Sequence, residues 1–365
     1  MQRQMHKRRV VVVGGGVIGC ACAFECAQAG YDVTLVERDA IAAHASGKNA
    51  GNLNPLIGTP AGQIGFALDA SRLQAEVYAA LQRIGCADYT QTPVKRVHLG
   101  YDEADRPHLE EIAAACRADR GFSARWLDRA ALRGMEPRLA PDAGFGVLTE
   151  GSLSVSGHDF SSALARGAAW LGAKIIIGAV TGINTRNEQA VAVQTTDGAL
   201  PCDALVLATG PWVAETKSWL GITVPVVPVK GQMLRMRLAG DVPDYDFTWQ
   251  SISLYKRQYD ELWVGVTMEH NGFDTSPTAE AKTMLLNQAA RILPAIQQAE
   301  LIEHTAALRP MTEFGECIAG HAAGWQNVYI ANGGGAKGVL FSAGIARRVR
   351  QLLQYDSAKH ATPYA

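Results

Sequence analysis

Near its start the chain runs from four consecutive valines straight into three glycines, Val10-Val11-Val12-Val13-Gly14-Gly15-Gly16. Arg9 to Val13 reads as a short buried strand. Val17 to Ala29 is small and apolar, with Gly30 as a helix stop. Between strand and helix stands Gly14-x-Gly16-x-x-Gly19. Gly14 permits the tight turn, Gly16 lets the backbone approach a pyrophosphate, and Gly19 allows close helix–strand packing. Val17 and Ile18 open a helix whose N-terminal amides and dipole favour a diphosphate. Tyr31 to Glu37 is a second strand, and Glu37 ends it 18 residues after Gly19. A carboxylate there can hold a ribose hydroxyl pair and disfavours a 2′-phosphate. Arg38 follows it directly. Together these features read as a site for an ADP moiety. NAD and FAD both satisfy this pattern.

Glycine is in excess, 37 of 365 residues, or about 10% against a usual ~7%. A second cluster lies far downstream, Gly333-Gly334-Gly335-Ala336-Lys337-Gly338. The length suggests about two domains. Lys plus Arg is 34 and Asp plus Glu is 35, which argues against a nucleic-acid partner held by bulk charge. The seven cysteines contain no CxxC pair, and the histidines show no ligand spacing, so no metal site is expected. Cys20, Cys22 and Cys26 read as small buried helix residues. The apolar start breaks at once into glycine, unlike a signal peptide. No apolar run of about 18 residues follows. The chain reads as cytoplasmic, with peripheral membrane association left open.

Helical spacing covers Asp69 to Ile84, Leu109 to Asp119, Asp128 to Met135, Asp159 to Leu171 and Thr278 to Ile292. Strands are expected at Val94 to Gly100, Lys174 to Val180, Val191 to Thr195 and Ala204 to Ala208. From Pro225 the texture becomes that of an antiparallel sheet: Val226 to Val229, Met233 to Leu238, Ile252 to Tyr255 and Leu262 to Thr267. The end returns to the opening texture, with strand Val328 to Ala331, the second glycine cluster, and a helix from about Leu340 to Leu353. Asp356 to Ala365 reads as a polar tail. The order suggests a nucleotide domain interrupted twice by a second, mostly antiparallel one.

Three further segments resemble the D-amino-acid oxidase superfamily of FAD-dependent oxidoreductases, and most closely its glycine-oxidase-like branch. They are Ala45-Ser46-Gly47-Lys48-Asn49-Ala50-Gly51-Asn52-Leu53, Asp203 to Trp212 with Val227-Pro-Val-Lys230-Gly231-Gln232, and Ala307-Leu-Arg309-Pro310 with Asn327 to Gly338. The resemblance covers nearly the whole chain. It implies an α/β fold: a Rossmann-like FAD-binding domain of glutathione-reductase type with an inserted α+β substrate domain built on an antiparallel sheet. The implied division is 1–88, 149–218 and 306–365 for FAD, and 89–148 and 219–305 for substrate. It further implies that Ala45 and Ser46 lie near the phosphates and that Ala50, Gly51 and Asn52 line the flavin or its ribityl chain. Val180 would meet the adenine end, and Gly334, Gly335, Ala336, Lys337, Gly338, Val339 and Leu340 would wrap the ring. For Ser46 and Asn49 the plain alternative is local turn bonding.

On the substrate side the resemblance places Arg309 at the arginine that pairs with a substrate carboxylate, where a guanidinium offers two parallel charge-assisted hydrogen bonds. A structural salt bridge is the alternative. Lys337 is the second catalytic candidate, at the flavin N1 locus or against an acidic substrate group. A solvated surface lysine is its alternative. Ala336 stands where the glycine-oxidase pattern has an arginine, and Ser253 where it has a tyrosine, with Tyr255 close by. Ala307 occupies the position of the cysteine that attaches flavin in some relatives, so FAD is expected to be non-covalent. The implied reaction is oxidation of the C–N bond of a small amino acid or N-substituted amino acid. Its electrons would pass to O2 or to another acceptor. The alternative is a flavoprotein subunit of a multi-component dehydrogenase. Homo-oligomerisation stays open.

Overall fold

In the computed structural model, which describes residues 7–257 and 260–361, the valine run lies inside a six-stranded sheet. From edge to edge the order is Ile318–His321, Val328–Asn332, Ala204–Leu207, Arg9–Val13, Asp32–Glu37 and Lys174–Ile177. The first pair is antiparallel and the rest are parallel. Side chains alternate across a strand. Val10 and Val12 therefore join a core with Phe24, Leu81, Phe160 and Leu340, under four helices: Val17–Gln28, Ile64–Arg83, Gly157–Trp170 and Gly338–Ala361. Val11 and Val13 join a second core with Val193 and Leu220, on the side of a small antiparallel sheet. That sheet is Val180–Arg186, Gln189–Thr195 and Gly198–Pro201. Burial on both faces explains why the central strands carry no polar alternation. Cys20, Cys22 and Cys26 are fully buried in the glycine-loop helix. Burial pushes the Cys26 thiol up to about 12, so it is not a nucleophile.

The second sheet has nine strands, and its main path begins at Glu300–Met311 and Val227–Arg237. It continues through Glu261–Gly265, Ile252–Lys256, Asp246–Trp249, Thr92–Gly100, Phe145–Ser154 and Asn52–Leu53. Ser123–Asp128 pairs with Phe145–Ser154 off this path. The pairing is antiparallel apart from one parallel pair, Asp246–Trp249 with Thr92–Gly100. The helix Ala279–Ile292 covers it through Leu285, Ala289 and Ile292, against Leu234, Leu254 and Val264.

Several elements depart from the sequence expectation. Val226 to Val229 and Met233 to Leu238 are not two strands. Val227–Arg237 is continuous, and Lys230, Gly231 and Gln232 are buried within it. Lys174 to Val180 is not one strand. The chain leaves the parallel sheet after Ile177, and Gly178 donates its amide to the Glu37 carbonyl before Val180 enters the small sheet. The stretch from Asp356 is helical as far as Ala361, because Asp356 is buried and accepts a hydrogen bond from the Tyr329 hydroxyl. Residues 362–365, like Met1 to His6, lie outside the described residues. Residues 149 and 306 fall inside the unbroken strands Phe145–Ser154 and Glu300–Met311. Among the described residues no helix is long and apolar enough to cross a membrane.

Candidate functional site

The glycine loop is built by close backbone contact. Gly14 has a positive φ of 109°, and a Cβ there would sit 2.3 Å from the Ala208 carbonyl oxygen. A Cβ on Gly19 would sit 1.8 Å from the Gly14 carbonyl oxygen, so Gly19 serves the turn and does not line the cavity. Gly16 is the N-cap of the helix Val17–Gln28. The Glu37 carboxylate is nearly buried and accepts from the Gly15 amide at 2.6 Å and the Asp39 amide at 2.9 Å. It fastens the second strand to the loop while still facing the cavity. Arg38 stacks on Trp212, 4.3 Å from its ring centre, and His44 packs against the same ring.

One cavity of about 450 Å³ is lined both by this loop and by Arg309. Gly14, Gly16, Val17, Ile18, Glu37, Arg38 and Val180 line it, as do Ala45, Ser46, Ala50, Gly51 and Asn52. Ser46 Oγ accepts from the Val17 amide at 2.9 Å, capping the glycine-loop helix. Asn49 makes turn bonds, donating to the Ala45 and Ser46 carbonyls and accepting from the Gly51 amide. Two polar atoms on this wall, Asn52 Oδ1 and Thr209 Oγ1, are buried without a hydrogen-bond partner. Buried polar groups are rarely left so. A polar group filling the cavity satisfies them, as the ribityl chain or phosphates of a dinucleotide can.

The second glycine cluster lines the same cavity. Gly334, Gly335, Ala336, Lys337, Gly338 and Val339 all line the cavity at the start of the helix Gly338–Ala361. Helix starts leave amides without intrahelical partners and carry partial positive charge. Leu340 is the exception and corrects the expectation for the loop. It is fully buried in the helical core and does not reach the cavity. Lys337 is not a solvated surface lysine. Its Nζ donates to the carbonyls of Asn54 and Ile57, each at 2.8 Å. Burial, and then the nearby Arg96 charge, pull its pKa down to about 8. Lys337 thereby ties the helix start to the 54–57 turn. Lys337→Met leaves two carbonyls unpaired and should cost about 1–3 kcal/mol of stability. Urea unfolding of both proteins measures this, and an unchanged midpoint would refute the clamp.

Arg309 lies on Glu300–Met311 and lines the cavity. Among the described residues it has no carboxylate within salt-bridge distance, and it donates to the Thr267 carbonyl at 3.1 Å. Burial lowers its pKa, with Tyr255 and Glu269 opposing. A partly buried cation without a counter-ion is costly unless an anion arrives. Tyr255, and not Ser253, lines the cavity; Ser253 bonds Thr248 Oγ1 at 2.9 Å. Arg96 and Arg257 stack on the Tyr255 ring. Arg96 is paired with Asp246 at 2.8 Å, and Arg257 donates to the Ala50 carbonyl. His98, buried beside Arg96, is pushed down to about 3 by burial and stays neutral at ordinary pH.

Sequence patterning missed Met233, Val266 and Met268 on the substrate side of the lining. Nothing in a strand's alternation says which face meets a cavity. Arg257 carries no motif at all, and only its contact with Ala50 reveals it. The fold brings Glu37, Asp39 and His44 within 4.8 Å of one another, a set that spacing did not show. Glu37 accepts from the Gly15 and Asp39 amides, and Asp39 meets His44 Nε2 and accepts from Arg38 Nε at 3.1 Å.

A parallel sheet with a glycine loop, a terminal acid and a cavity reaching a second glycine loop defines a dinucleotide-dependent oxidoreductase of the flavin type. The sequence matches the FAD dependent oxidoreductase family over residues 9–352, and the chain belongs to that family. It is 30% identical to glycine oxidase from Pseudomonas aeruginosa, over 94% of each chain. It is 28% identical to hydrogen cyanide synthase subunit HcnC from Pseudomonas protegens, over 92% of this chain and 89% of that one. The crystal structure of glycine oxidase from Geobacillus kaustophilus superposes with a TM-score of 0.88 at 27% identity. That match covers 96% of this chain and 95% of the other.

Proposed function

We propose that the chain uses non-covalently bound FAD to oxidise the C–N bond of a small amino acid or N-substituted amino acid. The observation that carries this reading is Arg309, a cation that lines the cavity and has no carboxylate partner among the described residues. FAD held in this cavity would supply the two-electron hydride acceptor for oxidation at the substrate α-carbon. Arg309 would grip the carboxylate through its fork and fix the α-carbon, and Tyr255 would line the same site. The Gly16 loop and Ser46 would hold the diphosphate, Glu37 the ribose, and Asn52 and Thr209 the polar chain of the cofactor. Gly334 to Val339 would face the ring, where the helix start favours negative charge on the reduced edge. The imine product is then hydrolysed by water to an oxo acid and ammonia or an amine.

Ala307 lacks a nucleophile, and burial pushes the Cys317 thiol up to about 11, which supports non-covalent attachment. The assignment of 1–88, 149–218 and 306–365 to the cofactor half, and of 89–148 and 219–305 to the substrate half, belongs to this reading. So does a cytoplasmic location. The near-equal identity to HcnC favours a second version, a flavoprotein subunit that hands electrons to a partner and not to O2. Anaerobic bleaching of the flavin at 450 nm tests the reaction against glycine, sarcosine, D- and L-amino acids, proline and opines. Bleaching by at least one of these, with FAD released by acid precipitation, is the expected result. A chain that stays oxidised with every amine, or binds no FAD, would overturn the proposal. Oxygen uptake compared with dye reduction then separates oxidase from dehydrogenase.

A further inference from the structure

Arg309 is held in place from behind. In the pairing of Val227–Arg237 with Glu300–Met311, Arg309 stands opposite Val229 and Gly231 stands opposite Ala307. Gly231 is thus the diagonal neighbour of Arg309 on one face of the sheet. A Cβ on Gly231 would lie 2.3 Å from Arg309 Nη2 and 2.5 Å from Cζ. Lys230 and Gln232, one residue to either side, project to the opposite face. Both are fully buried and hold the segment that follows Glu261–Gly265.

That segment is fastened at each residue that matters to Arg309. The Gln232 amide donates to Thr267 Oγ1 at 2.9 Å, and the Thr267 amide donates to the Gln232 carbonyl. Thr267 Oγ1 donates to Glu269 Oε1, and Gln232 Nε2 donates to Glu269 Oε1 at 2.8 Å. Lys230 and Glu269 exchange backbone hydrogen bonds at 2.8 and 2.9 Å. Lys230 Nζ donates to Asp274 Oδ2 at 2.7 Å and holds that carboxyl down at about 2. The carbonyl fixed by these contacts, that of Thr267, accepts the hydrogen bond of Arg309.

We propose that Gly231, Gln232, Thr267 and Glu269 form a positioning device for Arg309: the glycine makes room for its guanidinium, and the Gln232–Glu269–Thr267 network fixes its acceptor. The inference rests on the reading of Arg309 as the carboxylate partner. Its members are positioning residues. The Glu269 charge also favours the charged form of Arg309, after Tyr255 and against the larger effect of burial.

The test titrates acetate into the flavin-loaded enzyme and follows the perturbation of the flavin absorbance between 400 and 500 nm. Glu269→Ala and Gly231→Ala should each weaken acetate binding by about tenfold or more, the scale of one hydrogen bond to a charged group. The ratio of absorbance at 450 to 280 nm should not change. Glu269→Gln keeps an acceptor for Thr267 and should recover most of the affinity, a rescue that a loss of general stability would not show. The proposal fails if either alanine variant, still flavin-loaded, binds acetate within about twofold of the parent enzyme. It also fails if Glu269→Gln is as weak as Glu269→Ala. A parent enzyme whose flavin does not respond to acetate would instead overturn the role given to Arg309 itself.

Discussion

Arg309→Ala should raise KM for carboxylate substrates by roughly 30-fold to 3,000-fold, the range expected when one partner of a desolvated charge pair is truncated. The yellow colour should remain, because Arg309 lies beyond the loops that would carry the diphosphate and ring. Stability should not fall. Without substrate the guanidinium is a partly buried cation whose described hydrogen bond goes to the neutral Thr267 carbonyl. Burial outweighs the opposing effects of Tyr255 and Glu269 on this cation, so removing it relieves desolvation and breaks no salt bridge. Arg309→Lys keeps the charge but loses the planar fork, so it should recover only part of the affinity. Steady-state kinetics and thermal melting of the same preparations check both halves. Unaltered KM in the alanine variant would refute carboxylate binding by Arg309, and a large drop in melting temperature would reassign it to the fold.

How far the sequence reached follows from what fixes each part. The glycine loop was readable because its constraints are local. Gly14 and Gly19 answer to backbone atoms within a few residues or in the adjoining strand, and no side chain relaxes a Cβ contact of 1.8 Å. Glu37 was placed at the cavity, but its two backbone bonds to Gly15 and Asp39 were not foreseen, since they depend on how the strands close together. Lys337 was expected at the flavin N1 locus or against an acidic substrate group, with a solvated surface lysine as the alternative. The burial rejects that alternative, and the carbonyls that hold the side chain, some 280 residues earlier in the chain, left no signal in the sequence. Val227–Arg237 was broken in two because Lys230 and Gln232 look like turn residues. They are tolerated inside a strand only because Asp274, Glu269 and Thr278 meet them. Long polar networks of this kind leave no periodic trace. The resemblance supplied Arg309, whereas periodicity alone missed its strand, Glu300–Met311, altogether.

Gly16→Val should yield a folded protein that carries almost no flavin. Gly16 has φ −72° and ψ 175°, an extended conformation open to any residue. The nearest protein atom to a Cβ there is Ser46 Oγ at 3.1 Å. Shifting that hydroxyl weakens its cap on the Val17 amide, a cost of about 1 kcal/mol. The fold can bear it. The cavity cannot, because an isopropyl group at the helix N-cap occupies the space a diphosphate needs and shields the amides that would bind it. Gly19→Val is the contrasting case. Its Cβ would overlap the Gly14 carbonyl, so that variant should fail to accumulate as soluble protein, with or without cofactor. Thermal melting with added FAD distinguishes the two effects. Ligand at about 1,000 times its dissociation constant stabilises the parent enzyme by roughly 4 kcal/mol, whereas Gly16→Val should show no shift. Normal flavin content in Gly16→Val would mean that the diphosphate lies elsewhere. The excess of glycine in the first loop would then serve the turn alone.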